Sequence, residues 1–144
     1  LNKLAYFYLL TEKDELNLSI CKIIKEYYNK KNKILVCSYD AELIDNINKL
    51  LWTFEQLTFI PHCTNAQYDK EAMVLLYDYN YINDSIMKKD YNVVLNLCYD
   101  ENCKYEEHEI ILEIVRSTEE EKILSRQKYL YYKKNNLEVR HISL

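Results

Sequence analysis

Residues 4–51 read LAYFYLLTEKDELNLSICKIIKEYYNKKNKILVCSYDAELIDNINKLL, and this stretch decides the fold class. It opens with a continuous apolar run, Leu4 to Leu10, of the kind expected for a strand covered on both faces. Between Asp14 and Lys31 the apolar positions Leu16, Ile20, Ile23, Ile24 and Tyr27 recur at helical spacing. Asp14 and Glu15 fall in the first turn and lysines at the end, an order that suits the helix dipole. Lys33 to Ser38 is a second buried strand, and Asp40 to Leu51 returns to the helical period through Leu43, Ile44, Ile47, Leu50 and Leu51. Strand, amphipathic helix, strand and helix in so short a span describe a βαβ unit, whose crossover makes the two strands parallel and the connection right-handed.

Further strands are expected at Ala72–Tyr77, Val93–Tyr99 and Glu109–Val115, and a last long helix over Glu119–Asn136. The stretch Tyr81–Lys89 is too short for a full crossover helix, so the pairing around it stays open. With 144 residues and no repeat, linker or low-complexity tail, the chain reads as a single α/β domain over residues 1–144. The expected architecture is a mostly parallel sheet with helices on both faces.

Composition removes several chemistries. Glycine is absent and the sole proline is Pro61. Without glycine neither a Walker loop nor a GxGxxG turn can be written, so the sheet has no nucleotide-binding glycine loop and no cofactor is expected. No apolar run is long enough for a membrane helix, and LNKLAYFYLL reads as a buried strand rather than a signal peptide. Fifteen tyrosines beside abundant Asn, Lys and Ile follow AT-rich codon usage and carry little functional weight. Five cysteines, at 21, 37, 63, 98 and 103, form no CxxC pair, which argues for free thiols and a cytoplasmic location.

No catalytic constellation stands out. His62 and Cys63 are neighbours in sequence, which by default point apart rather than form a nucleophile–base pair. Cys98, Cys103 and His108 are too loosely spaced for a zinc site, so no metal is expected. A thiol-dependent enzyme on this fold is the weaker alternative.

The last helix is more informative. At 100° per residue from Lys122, Arg126 lies at about 40°, Tyr129 at about −20° and Lys133 at about 20°. These four side chains share one stripe, while Ile123, Leu130, Leu124 and Tyr131 fall to one side, where the core contact is expected. The chain carries a net charge of −4, yet residues 119–144 carry +2, leaving −6 for the rest. A positive strip on an acidic protein suits an acidic peptide or a carboxylate. The plainer reading is complementation of the helix dipole, which accounts for Lys133 and Lys134 but not for Arg126 and Tyr129 in mid-helix. A third reading, direct binding of single-stranded nucleic acid, draws on tyrosines interleaved with lysines from Tyr129 to Lys134, and the acidic remainder argues against it.

Residues 43–62, LIDNINKLLWTFEQLTFIPH, with Trp52 after two leucines and Phe59-Ile60-Pro61-His62 closing the segment, resemble the chi subunit family of bacterial DNA polymerase III. Tyr6–Leu10, Lys33–Cys37, Val93–Leu97, Glu113–Val115 and Arg126-x-x-Tyr129 follow in the family's order. The resemblance implies a noncatalytic accessory subunit of the replicative polymerase, Rossmann-like in fold and lacking a nucleotide site. It further implies pairing with the psi subunit, an indirect link through psi to the clamp loader, and binding of the acidic C-terminal tail of single-stranded DNA-binding protein. Carried over residue by residue, Lys122, Arg126, Tyr129 and Lys133 would form the basic part of the tail site, Val115 its apolar pocket, and Phe59 would assist. Trp52, Pro61 and His62 mark the family loop. Two positions depart from the pattern: Asn48 replaces an acidic residue ahead of the tryptophan, and Leu130 replaces a lysine after the helix tyrosine.

Overall fold

The computed structural model describes residues 3–55, 59–81, 83–99 and 105–144. In chain order they form β1 (Leu4–Leu9), α1 (Leu16–Asn29), β2 (Ile34–Ser38), α2 (Ala41–Leu51), β3 (His62–Thr64), β4 (Val74–Asp78), β5 (Val93–Asn96), β6 (Ile110–Val115), α3 (Glu119–Lys134) and β7 (Glu138–Ser143). The strands make one sheet in the order β3-β4-β2-β5-β6-β1-β7. Every pairing in it is parallel.

The expected α/β class and parallel sheet are present, and two features differ from the sequence reading. The strands β1 and β2 run parallel but are not neighbours, because β5 and β6 lie between them. The sheet also gains an edge strand at each side, β3 and β7, where no strand was expected. β3 is only three residues long, and β7 (EVRHIS) is mostly exposed, so neither carries the apolar run of an inner strand.

Helices cover both faces. One face packs α1 and α2 through Ile20, Ile23, Ile24, Tyr27, Ile44 and Ile47 onto Tyr8, Ile34, Val36, Val74 and Leu95. The alternate residues of the same strands, among them Ala5, Phe7, Leu35, Cys37 and Val94, face Tyr132 of α3 and Ile86 and Tyr91 of the segment joining β4 to β5. That segment crosses β2 with only a 3-10 turn at Lys88–Asp90, as its short length anticipated.

Without glycine, the helix ends must use other residues in the left-handed region. Lys31 and Asn136 both sit at φ 65°. After α1, the Lys31 amide donates to the Tyr28 carbonyl and the Asn32 amide to that of Tyr27; after α3, Asn136 and Leu137 donate to Lys133 and Tyr132. These are paired Schellman closures. The second one buries Leu137 in the same cluster as Tyr132 and turns the chain directly into β7.

Candidate functional site

α3 leaves β6 through Thr118, whose Oγ1 accepts a hydrogen bond from the Glu121 amide and caps the helix. Its seat on the sheet is polar. Lys128 and Tyr132 are the buried residues of α3. Both reach Glu113 on β6: Lys128 Nζ lies 2.8 Å from Oε1, and the Tyr132 hydroxyl donates to Oε2 at 2.6 Å. Asn96 Nδ2 adds a third donor to Oε2 at 3.0 Å, and Lys128 also donates to the Cys98 carbonyl. Burial pushes the Glu113 carboxyl above the usual carboxylate range, while Lys128, Tyr132 and Asn96 pull it back.

This seat corrects the sequence reading in two respects. Of the four residues expected at the core contact, Ile123 and Leu130 are 50% and 65% exposed, whereas Leu124 is half-buried and Tyr131 packs against the cluster around Tyr132. Lys128, one of the cations behind the +2 of residues 119–144, is inside and neutralised by Glu113. A lysine is almost never fully buried unless paired, and here the pair is on a neighbouring strand that the sequence could not align with it.

With Lys128 and Tyr132 turned inward, the Lys122–Arg126–Tyr129 stripe overhangs the carboxyl ends of β6 and β1. There it closes a pocket of about 370 Å³ whose floor includes Leu9 and Val115, partners in the parallel register. Lys122, Ser125, Arg126 and Tyr129 form one wall, and His141 of β7 contributes from the other side. The Tyr129 ring is tilted against His141 at 5.6 Å and stands edge-on to Phe7 at 6.5 Å, while Phe7 and His141 stack at 5.4 Å. Lys133 Nζ lies 6.0 Å from the centre of the Tyr129 ring. Lys122 is held by Glu119 at 3.5 Å, whereas no described residue pairs with the exposed Arg126 guanidinium. An unengaged donor fork therefore stands beside an apolar floor, an arrangement suited to a carboxylate attached to an apolar side chain.

A model of the DNA polymerase III chi subunit family, HolC, matches residues 3–140. The chain belongs to this family. No individually curated protein matches it. Membership makes it an accessory subunit of a replicative DNA polymerase and gives it a role in DNA replication.

Of the residues singled out on this chi chain, Lys122, Arg126, Tyr129 and Val115 meet at the pocket, and Lys133 flanks it through Tyr129. Phe59 does not join them. Its ring is tilted against Trp52 at 5.0 Å and approaches His62 at 6.1 Å, next to β3, at the opposite edge of the sheet from β7. Trp52 and His62 complete this second cluster at 5.1 Å, while the intervening Ile60 is fully buried and anchors the loop under α2. Leu9, Ser125 and His141 belong to the pocket but were not foreseen. Ser125 sits at about −60° on the same wheel and was available to the helical argument. Leu9 and His141 needed the β6-β1-β7 order, which the sequence does not carry.

Among the described thiols, Cys21, Cys37 and Cys63 are poorly suited to act as nucleophiles. Burial pushes Cys21 and Cys37 up to about 12 and raises Cys63, so each stays protonated. His62 Nδ1 is turned to the Ile60 carbonyl and Cys63 Sγ to that of Asp69, so the adjacent pair points apart. Among the described residues no group of His, Cys, Asp or Glu could hold a metal ion, and Cys103 lies outside them. No described helix is long and apolar enough to cross a membrane.

Proposed function

We propose that this chi-family chain is a noncatalytic connector. Its α3 pocket takes the acidic C-terminal tail of single-stranded DNA-binding protein, and a separate surface takes the psi subunit and, through it, the clamp loader. The observation that carries the first part is the unpaired Arg126 guanidinium beside Leu9 and Val115. A tail ending in an apolar residue with a free carboxylate would place the side chain on that floor and the carboxylate on the guanidinium fork. Lys122, once released from Glu119, would add its charge to the pocket wall, and Lys133 would meet the acidic residues upstream.

A connector needs a second face remote from the first. Trp52 and Phe59 are 61% and 53% exposed and lie beside β3, across the whole sheet from the β7 side. Exposed aromatic rings gathered on one patch are the surface expected for a protein partner, and this is where we place psi.

Fluorescence anisotropy with a labelled tail peptide tests the pocket. Removal of the terminal apolar residue, or amidation of the carboxylate, should abolish most of the binding, and an oligonucleotide at equal salt should bind far more weakly. A tighter grip on the oligonucleotide would overturn the reading. For psi, Trp52→Ala should abolish co-purification while leaving tail-peptide affinity unchanged; loss of both, or of neither, would remove the two-face arrangement.

A further inference from the structure

α3 sits on the sheet against its own hydrophobic pattern. Ile123 and Leu130 point to solvent, while the buried positions are Lys128 and Tyr132. Apolar contact on the sheet side is confined to the tyrosines, with Tyr132 edge-on to Phe7 and Tyr129 and Tyr131 against the same cluster. What fixes the rotation of the helix is the pair of directed bonds to Glu113, whose Oε1 takes Lys128 and whose Oε2 takes Tyr132, with Asn96 holding the carboxylate from β5. A hydrophobic contact tolerates sliding and rotation, whereas a buried ion pair with both carboxylate oxygens engaged accepts one geometry. Replacing such a pair with well-packed apolar groups often leaves stability intact, so its retention is better explained by specificity of arrangement than by stability.

From Lys128, the pocket side of the helix lies about 100° to 160° round, at Tyr129 and Arg126. A rotation of α3 by even part of one residue step would swing the guanidinium off the floor made by Leu9 and Val115 and part Tyr129 from His141. We infer that Glu113 and Lys128 are positioning residues for the tail pocket: their buried pair locks the rotation of α3 so that Arg126 and Tyr129 face the ligand. This rests on the pocket reading above.

The test is the double variant Glu113→Gln with Lys128→Met, which is neutral, close in volume, and keeps an acceptor for Tyr132. Two readouts apply. In solution NMR without ligand, the part of the His141 ring-current shift that comes from Tyr129 should collapse toward an averaged value, while the part from Phe7, its neighbour on β1, persists. With the tail peptide, affinity should fall about tenfold while the melting temperature holds, and adding Arg126→Ala should then cost much less than it does in the wild type. An unchanged His141 shift with unchanged peptide affinity would overturn the inference. Should the wild type fail to bind the peptide, the pocket reading falls, and the His141 shift still decides whether the pair positions the helix. Should the double variant fail to fold, Ile123→Gln with Leu130→Gln decides: an unaltered melting temperature and His141 shift support rotation set by the polar seat. Melting of that variant would refute it.

Discussion

Truncating Arg126 should weaken tail binding far more than removing any other exposed cation of α3. Arg126 stands at the pocket mouth with no partner to lose among the described residues, so Arg126→Ala leaves the fold alone and removes only what the guanidinium gives the ligand. A carboxylate seated between it and the Leu9–Val115 floor would be largely desolvated, and truncating one partner of such a pair costs about 2 kcal/mol or more, roughly a 30-fold loss in affinity. Arg126→Lys keeps the charge and loses the fork, so its expected loss is intermediate, about tenfold. Lys134 is the matched control: it is exposed, the last residue of α3, and about 80° round the helix from Arg126. Lys134→Ala should cost under about 1 kcal/mol, an effect that disappears when salt shortens the screening length below about 10 Å. Anisotropy titrations at low and high salt separate the two. Equal losses from Arg126→Ala and Lys134→Ala, both vanishing in salt, would show a diffuse field rather than a built site and would refute the carboxylate fork.

Two stability predictions follow from the interior. Lys128→Ala strands the Glu113 carboxylate and should destabilise the fold by about 3–5 kcal/mol in urea denaturation, a loss no surface lysine would produce. His108 is buried, with Nδ1 2.7 Å from the Tyr91 carbonyl, and desolvation lowers its pKa below the ordinary histidine value despite the opposing pull of that carbonyl and of Glu107. The unfolded chain therefore takes up this proton first. Stability should be level above about pH 6.5 and decline below it by at most about 1.4 kcal/mol per pH unit, a limb that His108→Gln should remove.

The helices α1 and α2 were legible because each buries a continuous apolar stripe, and the inner strands because burial on both faces leaves an unbroken apolar run. Edge strands lack that signature: β7 alternates weakly between half-buried and exposed residues, so His141 could not be placed. The pocket was half legible. Helical spacing alone put Lys122, Arg126 and Tyr129 on one line, whereas Leu9 came from sheet order. The seat of α3 was misread for a definite physical reason. Hydrophobic periodicity finds aliphatic contact, and the buried positions of this helix are an ion-paired lysine and a tyrosine with its hydroxyl engaged, groups that a periodic reading assigns to solvent. Phe59 was misassigned to the pocket because sequence order says nothing about which edge of the sheet its loop reaches.

The charge pattern of α3 also fixes a direction for the ligand. Glu119, Glu120 and Glu121 occupy the first turn, and Lys122 leans back on Glu119, so the amino end of the helix offers little net attraction. Lys133 and Lys134 occupy the last turn, and Lys128, the cation between, is already consumed by Glu113. An acidic tail anchored at Arg126 gains only by running toward Lys133, past the Tyr129 ring, with Leu130 exposed alongside to meet any apolar residue in it. A tail lying the other way would set its acidic residues against three glutamates. A nitroxide placed at the amino end of the tail peptide should therefore broaden the amide signals of Lys133–Asn136 and spare those of Glu119–Lys122. Broadening of the glutamate turn instead would mean that electrostatics does not orient the tail, and that the apolar floor alone decides how it enters.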